Sequence, residues 1–551
     1  MACAAELFVR CLENEGVEYV FGIPGEETLD LNEALDRSGS IQFVPVRHEQ
    51  GAAFMADAYG RLTGRAGVCL GTLGPGATNL VTGIADAYLD RAPVVALTGQ
   101  TGLDEMHKES HQYIDVVRMM KPVTKWNARI HDPDIIPEAV RKAFAVAERE
   151  KPGATHLELP DDVMEADAEG APVRRRPSPQ IEPIAAELHR AAELLQTCER
   201  PVILAGNGVV RQQAAPALRR FCEQTGLNVI TTFMGKGVVD ADDPHSLFTA
   251  GLRAQDYPRG FMGRADLVVC VGYDLVEWSP VAWNPRGDRH IICIDTVAAE
   301  VDQYYVPEVE LTGDIGNILT HLGNLVSAKP PARLAAPPYQ ELLRAALEQG
   351  SDDAFPVKPQ RVLRDLRELM APEDVLISDV GAHKLWVSRL WPTKLPNTVL
   401  ISNGAAAMGF AVPAAVAARL VLPEHRRVVT ISGDGGVLMN FQELETARRL
   451  GLAFVNIVWT DNAFGVIELH QTRKFGRIAG TKFTNPDWVS LAESFGIAGL
   501  RVEAAEDVTP MLARALDLDV PSVVEIPIDY RENVRFSERL ADLRRVEEGV
   551  A

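Results

Sequence analysis

Positive charge is what this 551-residue sequence is short of. Its 55 lysines and arginines stand against 76 aspartates and glutamates, giving a formal net charge of −21, which argues against a nonspecific nucleic-acid surface. Cysteine is also scarce. The seven residues at positions 3, 11, 69, 198, 222, 270 and 293 are odd in number and form no CxxC pair. They read as reduced core thiols of a cytoplasmic protein. No apolar stretch reaches membrane-spanning length, and Glu6 and Arg10 interrupt the opening residues, so neither a membrane span nor a signal peptide is expected. No short-period repeat is evident.

What is present divides the chain. Met164–Pro183 and Ala328–Pro338 are rich in proline, alanine and charge without periodicity, and both read as linkers. They leave blocks at 1–165, 184–326 and 350–530, followed by a charged tail, 531–551, expected to be a surface helix. Each block alternates strand-like and helix-like segments. The expected fold is α/β, with three doubly wound parallel-sheet domains.

One stretch, Arg427–Gly465, organises the reading. An apolar run, Val428–Ile431, ends in Gly433-Asp434-Gly435-Gly436. Leu438, Phe441, Leu444 and Ala447 then recur at helical spacing, and a second apolar run, Phe454–Trp459, delivers Asp461-Asn462-Ala463. Strand–helix–strand implies parallel strands joined by a right-handed crossover. Both aspartates would then lie at the carboxyl ends of strands, where open parallel sheets bind ligands. Two carboxylates suit a hard cation such as Mg²⁺, and the glycine turn offers backbone N–H groups to phosphate. A lone Gly-Asp-Gly reads more readily as a solvated strand end, and the second acidic turn weighs against that here.

The first block offers similar turns: Gly22-Ile23-Pro24-Gly25, Arg47-His48-Glu49 and Gly71-Thr72-Leu73-Gly74-Pro75-Gly76-Ala77-Thr78-Asn79. Taken alone, Glu49 is an acid favoured at a helix N-terminus. His383 reads as a loop imidazole, and Met408 as core packing. In the middle block Gly206-Asn207-Gly208 is a weak dinucleotide signal.

Taken together, GDGG, the ELETA helix, the W-x-D-N turn, RHEQGAAFMADAYGRLTG and GTLGPGATNL resemble the thiamine-diphosphate-dependent acetolactate synthases, in particular their catabolic, FAD-independent branch. The resemblance covers essentially the whole chain. It implies a pyrimidine-binding first domain, a central scaffolding domain without FAD, and a diphosphate-binding third domain. Asp434 and Asp461 would coordinate Mg²⁺ through side chains and Ala463 through its carbonyl, with Gly433, Gly435, Gly436 and Phe464 beside the diphosphate. Gly381, Ala382 and His383 would flank it. Ala406 would meet the aminopyrimidine, and Met408 would wedge between the two rings. Pro24, Thr72, Gly76 and Asn79 would line the pyrimidine side. Glu49 would activate the cofactor, and Gln112 would stand near its reactive end.

The resemblance places Glu27, His111, Val466, Ile467 and His470 around the substrate. Glu27 departs from the family pattern, which has lysine there, and His470 stands where biosynthetic relatives carry tryptophan. The implied reaction decarboxylates pyruvate and condenses the product with a second pyruvate to give 2-acetolactate. The implied assembly is a homodimer or homotetramer with sites at subunit interfaces. A different 2-keto-acid decarboxylase or carboligase, and a flavin-dependent pyruvate oxidase, are the alternatives.

Overall fold

The computed structural model describes residues 2–176, 181–251, 256, 258–326, 339–536 and 538. Three six-stranded sheets, parallel throughout, carry the chain. Counting strands along the chain, the first and third sheets share the order 2-1-3-4-6-5, whereas the middle sheet runs 3-2-1-4-5-6. Central strands such as Val94–Gln100 and Val455–Thr460 are buried at every position, as a parallel sheet covered by helices on both faces requires.

In the 2-1-3-4 order the strand sequence reverses between strands 1 and 3, and that reversal opens a crevice at their carboxyl ends. In the first sheet these strands are Tyr19–Gly22 and Gly67–Gly71. In the third they are Val375–Ser378 and Val428–Gly433. The turns after them are the glycine-rich turns singled out above.

Five strands of these sheets escape sequence reading: Trp126–Arg129, Ala154–Pro160, Ser246–Ala250, Val309–Thr312 and Ala498–Arg501. Ala154–Pro160 shows why. It buries His156 and Glu158, whose polarity hides a fully interior strand; His156 lies 2.8 Å from the Thr98 hydroxyl, and Glu158 accepts from Gln100 at 2.9 Å.

Three other expectations are corrected. The helix expected over Leu438–Ala447 is two short helices, Asp434–Val437 and Glu443–Arg449, and Leu438 is exposed. The break lies at buried Asn440, whose amide donates to the Gly409 carbonyl at 3.0 Å. The linker expected from Met164 starts later. Met164 is buried in helix Asp161–Glu165, and Asp167–Ala168 pairs antiparallel with Ala2–Cys3. Residues 177–180 of that linker, and the whole of the second linker, lie outside the described residues. The tail is not simply a surface helix either. Glu532, Asn533 and Phe536 are buried, the Phe536 ring packs 4.6 Å from that of Trp386, and the Trp386 indole donates to Asn533 at 2.7 Å. Residues 537 and 539–551 lie outside the described residues.

The first and third units pack on each other through helix Glu49–Thr63. Its small residues Gly51, Ala52, Ala53 and Ala56 are buried. A Cβ on Gly83 of the neighbouring helix would stand 2.4 Å from that of Ala53, and Phe54 meets Phe410 of the third unit edge-on at 5.6 Å. Among the described residues, no helix is long and apolar enough to cross a membrane. All seven cysteines are free, and six are buried.

Candidate active site

The third sheet gathers its candidates at the strand-1/strand-3 crevice. Asp434, 2% exposed, follows strand Val428–Gly433 directly. Its Oδ2 accepts from the backbone N–H of Asp461 at 3.0 Å, from that of Asn462 at 2.7 Å, and from Asn485 Nδ2 at 2.8 Å. The two acidic turns are thereby laced together. Asn462 holds φ +57°, a left-handed conformation that asparagine tolerates better than most residues. Burial raises the pKa of Asp434. Asp461 is pushed up to about 7, by burial first and by the charge of Asp434 second. Asp434 is buried and Asp461 partly so, and burial disfavours the charged form of both. Among the described residues no group of three or more His, Cys, Asp or Glu could hold a metal ion. Two carboxylates so placed are oxygen donors of the type hard cations take.

Across the crevice, Asp379 ends strand Val375–Ser378. Its Oδ1 accepts from Val380 N–H at 2.7 Å and Gly409 N–H at 2.9 Å, fixing the turn that carries Met408, while its buried Oδ2 has no partner. Burial raises its carboxyl to about 7. His383 lies one helical turn on, its ring edge-on to Trp459. It is held neutral by burial, which lowers its pKa to about 3, and its Nε2 is unpartnered. A Cβ on Gly381 would stand 2.5 Å from this ring and one on Gly433 3.0 Å, so both glycines are needed for the imidazole to sit there. Gly435 is closed in by the Phe464 ring, 2.8 Å from where its Cβ would be, and a Cβ on Gly436 would stand 3.5 Å from Met408 Cε. Ala406 has φ +51°.

The first sheet gathers a second cluster at its own crevice. Buried Glu49 begins helix Glu49–Thr63 and accepts from Asn79 Nδ2 at 2.9 Å through Oε2. A Cβ on Gly76 would stand 3.4 Å from the other oxygen. The Thr72 hydroxyl donates to Glu27 at 2.8 Å, which places Glu27 at the crevice beside the exposed Pro24. Gln112 is exposed with φ +55°, its Cβ 2.9 Å from where a Cβ on Gly74 would be, and His111 is exposed beside it.

Sequence reasoning missed Asn485, which ties Asp434 to the Asn462 side chain (2.9 Å) from a loop after the Asp461-Asn462 turn. A single asparagine in Thr-Asn-Pro-Asp carries no local signal. Asp379 was visible only as a strand-end cap. The expected substrate residues Val466, Ile467 and His470 sit on helix Gly465–Phe475, none of whose residues is buried. Among the described residues no hydrogen bond or ion pair joins Glu49, Thr72 or Asn79 to Asp434, Asp461 or His383.

Three family models match the chain: the thiamine pyrophosphate enzyme N-terminal TPP binding domain over residues 3–119, the central domain over 188–322, and the C-terminal TPP binding domain over 379–526. The acetolactate synthase of Bacillus subtilis (strain 168) is 36% identical over 542 residues, covering 97% of this chain and 94% of that protein. The catabolic acetolactate synthase of Raoultella terrigena is 36% identical over 540 residues, covering 97% and 96%. A probable acetolactate synthase large subunit of Methanocaldococcus jannaschii is 35% identical over 551 residues, covering 96% and 92%.

Proposed function

The chain belongs to the acetolactate synthase family of thiamine pyrophosphate enzymes, and from that premise we propose that it is a magnesium-dependent, flavin-independent acetolactate synthase, acting in the cytoplasm as a homodimer or homotetramer. The observation that carries the reading is the lacing of Asp434 to the Asp461-Asn462 turn, which sets two cation-seeking carboxylates beneath a glycine turn. The residues fit the cofactor. The unpartnered Nε2 of His383 and Oδ2 of Asp379 are buried polar atoms at the crevice, and such atoms seldom go unmatched in a working site. Bound there, thiamine diphosphate supplies the electron sink that decarboxylation of a 2-keto acid needs.

The chain's own residues divide the remaining work. Asp434, Asp461 and the Ala463 carbonyl hold the cation, and the Gly433–Gly436 turn and His383 receive the diphosphate. Glu49, kept in place by Asn79, holds the proton facing the aminopyrimidine, and Gln112 orients substrate. We read each site as completed by a second copy, as the family resemblance implies. The central unit is read as scaffold. The Asn207 N–H, which a dinucleotide phosphate would need, already donates to both Glu277 oxygens at 3.1 Å. The seven free thiols support a reducing compartment.

Glu27 favours a second reading, a carboligase whose acceptor is a neutral aldehyde, because an anionic acceptor would meet like charge there. Product analysis decides between them. With purified protein, thiamine diphosphate and Mg²⁺, and no FAD, we expect two pyruvates consumed for each CO₂ released and each 2-acetolactate formed. Acetaldehyde as the sole product, or no turnover of pyruvate, would sink the synthase reading.

A further inference from the structure

Where the first and third units touch, three buried aspartates surround one guanidinium. Asp57 and Arg61 lie one turn apart on helix Glu49–Thr63. Asp86 lies on helix Pro75–Leu89, and Asp90 is the residue that ends it. Arg61 Nε pairs with Asp57 at 2.6 Å, and its Nη2 with Asp90 at 2.7 Å and Asp86 at 3.7 Å, all four side chains being almost inaccessible. Buried charge clusters of this kind contribute little net stability, so the reason for this one must be sought elsewhere.

The reason lies in what else they hold. Arg61 Nη1 donates to the Ile401 carbonyl at 2.8 Å. Asp90 accepts from the backbone N–H of Asn403 at 2.8 Å and from that of Gly404. Asp86 accepts from the Ser402 hydroxyl at 2.7 Å, and that hydroxyl accepts in turn from Ala407 N–H at 2.8 Å. Lys384 closes the far side, donating to the Ser402 carbonyl at 2.8 Å. The backbone from Ile401 to Ala407 is therefore gripped largely by side chains of the other unit. Inside the gripped loop Ala406 holds a left-handed φ of +51°, a strained conformation for alanine that persists only where its surroundings impose it. Met408 follows, and the Gly409 N–H is anchored on Asp379.

We propose that Asp86 and Asp90, acting through Ser402 and the backbone of Asn403 and Gly404, are positioning residues that hold Ala406 and Met408 in their cofactor-receiving arrangement before the cofactor arrives. The inference rests on the reading of Ala406 and Met408 as cofactor contacts. Two variants test it, S402A, which deletes one hydroxyl, and D90N; if D90N fails to fold, S402A decides. Amide hydrogen exchange of the cofactor-free protein reads the loop directly, calorimetric titration with Mg²⁺ present reads thiamine diphosphate affinity, and steady-state kinetics at saturating cofactor reads the KM for pyruvate.

We expect faster exchange over 402–409, unchanged protection at 433–436, a tenfold or larger rise in cofactor Kd, and a KM within twofold of the parent. Unchanged exchange would show that these carboxylates do not hold the loop. Faster exchange with unchanged cofactor affinity would show that they hold it for stability alone. Either result overturns the proposal. Failure of the parent protein to bind thiamine diphosphate removes the reading beneath it instead, and the proposal with it.

Discussion

Glutamine at position 49 is expected to leave a folded protein that binds thiamine diphosphate yet turns over pyruvate at least about a hundredfold more slowly, the scale of a lost general acid–base group. That corresponds to about 2.7 kcal/mol of barrier. The substitution is close to isosteric, and Asn79 Nδ2 can donate to an amide oxygen as it does to the carboxylate at 2.9 Å. The turn before it is held independently, because the backbone N–H groups of Arg47 and His48 both donate to Glu443 of the third unit, at 3.0 and 3.1 Å. Only the acid at the helix start is removed, and the fold should keep its stability to within about 1 kcal/mol. The assay pairs kcat with a calorimetric cofactor Kd. A kcat within tenfold of the parent would remove Glu49 from the catalytic role.

The second large effect is expected at the metal turn. In D434N the affinity for thiamine diphosphate should fall by about a hundredfold and should no longer respond to Mg²⁺, since a hard cation needs the lost anionic oxygen. One Asp434 oxygen accepts from three donors. An amide that presents its oxygen to those donors turns its NH₂ toward the cation, and the opposite flip sets NH₂ against three N–H groups. Neither orientation serves both tasks. Titrations with and without Mg²⁺, with circular dichroism as the fold control, give the answer. A cofactor Kd that still tightens with Mg²⁺ would place the cation elsewhere.

Most of this architecture could be read from the residues, and the exceptions share a physical cause. Runs dominated by β-branched residues, such as Val428–Ile431 and Leu267–Val271, announce buried parallel strands, because nothing charged interrupts them. Ala154–Pro160 is equally buried but satisfies His156 and Glu158 through partners distant in sequence, which no local window shows. The site divides the same way. Asp434 and Asp461 stand out because glycine turns and strand ends flag them locally. Asn485, and the Asp86–Ser402–Ala407 chain of hydrogen bonds, exist only once separate parts of the chain are folded together. The break at Asn440 belongs here too, since the periodicity of Leu438, Phe441, Leu444 and Ala447 predicts one helix and a tertiary hydrogen bond to Gly409 divides it.

Completion of each site by a second copy would have a genetic consequence. In a dimer assembled as proposed, each working centre draws Glu49 from one copy and Asp434 from the other. A chain damaged at Glu49 and a chain damaged at Asp434 are each inactive as homodimers. Mixed together, one centre of the heterodimer inherits both intact halves while the other inherits both lesions. Two defective alleles expressed in one cell should therefore rescue each other to roughly a quarter of the parental activity, the fraction that random pairing of two copies allows. Two lesions in the same half-site should give no rescue.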